Sequence, residues 1–80
     1  MTDNDTVYEF ESPESSVIAG ARYDPDQLLL AVDVKRAIGF PETYLYGGVP
    51  EKVWREFEAA SSRGSYFSKH IRPIFGGKRV

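Results

Sequence analysis

No cysteine occurs in this chain. That excludes a disulfide framework and a thiolate zinc site, and it suits a reducing compartment. Histidine is nearly as scarce. His70 stands alone, so Ser–His–Asp or Cys–His catalysis would rest on one residue. The acidic turn Asp24-Pro25-Asp26 lacks the downstream glycine and glutamate of a calcium loop. Its carboxylates fit local turn capping. Long apolar runs are missing too. The longest, Leu28 to Val32, is far too short to span a bilayer. The opening Met1-Thr2-Asp3-Asn4-Asp5 is polar and acidic, the reverse of a secretory leader. The sequence therefore reads as non-enzymatic, free of metal and cofactor, not membrane-bound, and cytoplasmic.

What is present is one small domain with material for one modest core. Its 80 residues carry a net charge of −2, unevenly spread. Residues 1–50 hold nine acids against Arg22, Lys35 and Arg36, whereas residues 51–80 hold seven bases against Glu51, Glu56 and Glu58. An acidic total thus conceals a basic C-terminal part.

Residues 1–6 have no apolar period and read as a frayed N-terminus, leaving 7–80 as the folded domain. Val7–Phe10 fits a short edge strand ended by Ser12-Pro13. Val17, Ala19, Ala21 and Tyr23 alternate along a second strand, and Leu28, Leu30, Val32 and Val34 share one face of a third. Arg36 to Pro41 is a loop, and Glu42–Tyr46 the next strand. Short links between these strands imply an antiparallel meander. Gly47-Gly48-Val49-Pro50 then turns the chain into a helix over 50–61, with Val53, Trp54, Phe57 and Ala60 as its apolar stripe. Gly64 is expected to stop that helical region. Ser65 is expected to cap a second helix reaching Arg72, with Phe67, Ile71 and Ile74 inward and Tyr66 and His70 beside them. Gly76-Gly77-Lys78-Arg79 reads as a flexible basic tail. The expected fold is α+β: a three- or four-stranded antiparallel β-meander followed by two α-helices packed on one face.

These landmarks form an ordered set: Ser15-Ser16, Tyr23-Asp24-Pro25, Leu30 and Val32, Tyr44-Leu45-Tyr46 with Val49-Pro50, Ser61-Ser62-Arg63-Gly64, Tyr66-Phe67, and Ile71-Arg72. The set resembles the KTSC domain, named for the C-terminus of certain lysyl-tRNA synthetases and also found as small free-standing bacterial and phage proteins. The resemblance covers roughly residues 10–80. Two features depart from it: a longer link from Lys35 to Glu42, and Gly76-Gly77 where aromatic or basic residues are more usual. It implies a small α+β fold without an agreed enzymatic activity. Attachment to a tRNA-handling enzyme points to an auxiliary RNA-binding role.

Two functional expectations follow. The first is a binding module for RNA or single-stranded DNA. Arg63, Lys69, Arg72, Lys78 and Arg79 would neutralise phosphates, while Tyr66 and His70 stack on bases. The second is a structural or adaptor protein, of a phage for example. It would act through a protein partner or as a homo-oligomer, with Phe40, Tyr44, Tyr46 and Trp54 as contact residues.

Overall fold

The computed structural model describes residues 7–79, and the expectation for residues 1–6 lies outside them. A five-stranded sheet in the order β1-β2-β3-β4-β5, antiparallel throughout, carries helices on one face. Its strands are β1 (Tyr8–Glu11), β2 (Ile18–Asp24), β3 (Leu29–Val34), β4 (Glu42–Tyr46) and β5 (Gly77–Arg79). Between β4 and β5 run α1 (Glu51–Ala59) and α2 (Arg63–Tyr66), and α2 continues as a π-helical turn over Phe67–Ile71. The α+β meander with two helices stands as the sequence implied, with one strand more.

Alternation decides what is buried. Tyr8, Phe10, Ala21, Tyr23, Leu30, Val32 and Tyr46 point to the helical side, where Trp54, Phe57, Phe67 and Ile71 meet them. Much of that core is aromatic and stacks in sequence. Tyr23 lies nearly parallel to Trp54 at 5.7 Å, Phe10 stacks on Trp54 at 5.1 Å, and Phe57 meets Trp54 edge-on at 6.3 Å. Phe67 joins Phe57 to Tyr46. The buried Tyr23 hydroxyl donates to the Val49 carbonyl at 2.6 Å, tying β2 to the corner before α1. At that corner Gly48 takes φ +71°, a conformation glycine reaches without strain.

Several local expectations are corrected. In β2 the inward set is Ile18, Ala21 and Tyr23, because a bulge between Ile18 and Gly20 shifts the phase and leaves Val17 outside. Leu28 does not continue the β3 face. It turns at φ +54°, and its carbonyl accepts from Val49 N–H, so the strand starts one residue later. Gly64 is inside the first turn of α2, where a β-carbon would sit 3.1 Å from Val17 Cβ. The cap is accordingly Ser62, whose hydroxyl accepts from Ser65 N–H at 3.3 Å. Ile74 lies beyond the helix and is 64% exposed. The Gly76-Gly77-Lys78-Arg79 segment is no free tail either. Gly77 pairs with Tyr46, Lys78 with Leu45 and Arg79 with Tyr44, and the Tyr46 ring occupies the space a Gly77 side chain would need.

Candidate nucleic-acid interface at the start of the second helix

The expected basic and aromatic residues do not share one surface. Register places Lys78 beside Leu45 on the helix-free face of the sheet, and Arg79 beside Tyr44 on the other. Arg79 is ion-paired to Glu42 at 3.2 Å. Arg63 is also engaged. Its guanidinium donates to the Glu58 carbonyl at 2.8 Å, the Glu11 carbonyl at 3.1 Å and the Ser12 hydroxyl at 2.8 Å, and it lies 3.9 Å over the Phe10 ring. A planar fork with several donors suits this joint between the end of β1, the last turn of α1 and the start of α2. Its role here is to clamp three elements together.

What does converge is smaller. Tyr66 lies on Phe57 and donates its hydroxyl to Glu56 at 2.8 Å. Burial first, then the Glu56 contact and charge, push its phenol up to about 12. His70, one turn on, sets its ring 4.8 Å from that of Tyr66. With Lys69 they border a hollow of about 310 Å³ that also takes in Glu56, Ser61 and Ser65. Lys69 simultaneously borders a second groove, of about 460 Å³, between the β1–β2 loop and α2. That groove is walled by hydroxyls from Ser15, Ser16, Ser62, Ser65 and Ser68. Arg72, at the C-terminal end of the same turn, acts instead on Tyr46, where it opposes the rise that burial gives that phenol.

The serine groove was not singled out by reasoning on charge and aromatic content, although Ser15-Ser16 and Ser61-Ser62 are landmarks in the sequence. Two of its hydroxyls already have structural work. Ser15 Oγ accepts from Val17 N–H at 3.1 Å and Ile18 N–H at 3.0 Å, and Ser62 Oγ caps α2. Lys35 holds the same loop from outside by donating to the carbonyls of Pro13, at 3.2 Å, and Ser15. Glu14 accepts from the buried Ser12 hydroxyl at 3.2 Å. Its carboxyl is held below the usual range by a backbone hydrogen bond, then by Ser12 and the charges of Arg63 and Lys35, against an opposing burial effect.

The proposed protein contacts also separate. Trp54 and Tyr46 are core residues, at 1% and 3% exposure, and offer no surface to a partner. More aromatics fit inside this small domain than composition suggested, because they stack on one another. Tyr44 is half-buried with its hydroxyl on Glu42 at 3.1 Å. Phe40 alone of the four is open, at 89%. Among the described residues no helix is long and apolar enough to cross a membrane.

Known proteins agree with this architecture. A protein of Tsukamurella paurometabola is 40% identical over 62 residues, spanning 78% of this chain and 87% of its own length. The crystal structure of a KTSC domain protein from Yersinia pestis superposes with a TM-score of 0.79 at 29% identity, covering 94% of this chain and 99% of that one. The family model for the KTSC domain matches residues 14–75, from the Glu14 loop to the end of the helical region. The chain belongs to the KTSC domain family.

Proposed function

We propose that this protein is a non-enzymatic, cytoplasmic binding module that takes single-stranded nucleic acid, RNA in particular, where Lys69 separates the serine groove from the Tyr66–His70 pair. The observation that carries the reading is this adjacency. Lys69 borders both a hydroxyl-lined groove and the hollow beside the Tyr66 and His70 rings, which lie close and tilted to one another. A phosphate can meet the cation while a neighbouring unpaired base stacks on the outer ring. The groove's other hydroxyls, those of Ser16, Ser65 and Ser68, suit a sugar–phosphate backbone, whose contacts are numerous and carry little sequence information. Arg63 contributes indirectly by holding α2 against β1, and Lys78 and Arg79 lie outside the site.

The test is a titration of fluorescent single-stranded RNA and DNA at two salt concentrations. Binding should weaken as salt rises, with a slope of about −0.7 per neutralised phosphate. Lys69→Ala should reduce that slope by roughly one contact. His70→Ala should cost about 1–3 kcal/mol if the ring carries a base. A folded protein that binds neither strand at low salt removes the proposal.

A further inference from the structure

We propose that the loop between β3 and β4 docks into the helix-free sheet face of a second copy of this chain, and that the exchange is reciprocal in a two-fold dimer. Seven residues, Lys35 to Pro41, join β3 to β4, where an antiparallel pair needs as few as about two. They carry Ile38 at 84% and Phe40 at 89% exposure, the most open large apolar side chains of the described residues. The second feature lies on the opposite side of the sheet from the helices. There Val7, Leu29, Ala31, Thr43 and Leu45 surround an apolar hollow of about 450 Å³ bounded by Asp24.

The two features sit at opposite ends of the same hairpin. The loop follows Val34, whereas the hollow gathers around Leu29. Five strand steps of about 3.3 Å separate those residues, roughly 17 Å, so the loop cannot fold onto its own hollow. A second copy turned about a two-fold axis lying across the strands brings each loop over the other's hollow, and both are satisfied at once. Net charges agree with that pairing. At the loop end Arg36 shares Glu42 with Arg79, leaving positive charge in excess. At the receiving end Arg22 also lines the hollow but is paired with Asp33, leaving Asp24 and the adjoining Asp26 in excess. The arrangement is not free of repulsion. Glu9 and Glu11 on the outer face of β1 come near their symmetry mates, although sheet twist splays those edges apart. With about 200 Å² for each phenylalanine, two loops and two hollows bury on the order of 1,000 Å² in total. That is the lower end of specific interfaces, the range of weak and transient association.

Sedimentation velocity on the full chain, from low micromolar to millimolar concentration, tests this. The expected result is a concentration-dependent shift to twice the monomer mass. Phe40→Asp should abolish the shift without changing the circular dichroism spectrum, since that side chain touches little of its own fold. Leu45→Lys, in the hollow, should abolish it as well. Equimolar mixing of the two variants should restore part of the association, because an intact loop then meets an intact hollow once per pair. A protein that stays monomeric throughout overturns the proposal, as does a dimer that survives Phe40→Asp. Binding of the loop to lipid vesicles or to another protein by a strictly monomeric chain also counts against it.

Discussion

Arg63 shows how one side chain can look like a ligand contact and serve as a joint. Its donors reach Glu58 in the last turn of α1 and the adjacent Glu11 and Ser12 at the end of β1, so from the start of α2 it joins three elements. Hydrogen bonds to a charged group contribute about 1.5–3 kcal/mol each at most, and they are not additive. Arg63→Lys keeps the charge but loses the planar fork, so the melting midpoint should fall by the equivalent of about 2–3 kcal/mol. An unchanged midpoint would release Arg63 from the structural role and return it to the ligand surface. Tyr66 gives a second prediction at this scale. Its folded pKa, about 12, lies above the ordinary value of 10.0. Between those values the folded state holds the proton more firmly than the unfolded chain does. Stability is therefore fully present below pH 10 and declines as pH rises from 10 to about 12. Tyr23 and Tyr46, also raised mainly by burial, act in the same direction. Chemical denaturation across that window should show the decline, and Tyr66→Phe should make it shallower.

At the scale of elements, β5 is the instructive case. A Gly-Gly-Lys-Arg run has low strand propensity and invites reading as a tail. It becomes a strand because Tyr46 lays its ring over Gly77, a cross-strand fit that only glycine permits. Gly77→Ala places a methyl group in the ring and should destabilise by about 1–3 kcal/mol, with faster amide exchange in β4. Gly76→Ala is the control, since nothing lies within 4 Å of the added carbon. It should change stability by less than about 0.5 kcal/mol. Nearest-neighbour patterns made the other elements legible. β4 and α1 follow directly from Glu42–Tyr46 and from the Val53, Trp54 and Phe57 stripe. What could not be read were features fixed by distant partners: the bulge in β2, the Ser62 cap made possible by Gly64 against Val17, and the ring-on-glycine contact of β5. The site divides similarly. Tyr66, Lys69 and His70 are close in sequence and on one helical turn, so their grouping was legible. The far wall of the groove, Ser15 and Ser16, comes from the β1–β2 loop and needed the fold to reveal it.

For the molecule as a whole, the aromatic stack makes sheet and helices one unit. Trp54 touches β1 through Phe10, β2 through Tyr23 and its own helix through Phe57, and Phe57 passes the contact to Phe67 and so to Tyr46 in β4. A domain of this size has only about 5–15 kcal/mol of net stability. Replacing a fully buried tryptophan by alanine costs about 3–5 kcal/mol. Trp54→Ala should therefore leave a large unfolded fraction near body temperature, whereas Trp54→Phe, which keeps a ring between Tyr23 and Phe10, should lose less. The same connectivity predicts that no layer melts alone. Tryptophan fluorescence, reporting the centre of the stack, and far-ultraviolet circular dichroism, reporting helices and strands, should give one coincident thermal transition. Separate midpoints would mean that α2 and the π-helical turn after it, which carry Tyr66 and His70, detach before the sheet. A groove built on such a helix would then be ordered by its ligand and not in advance of it.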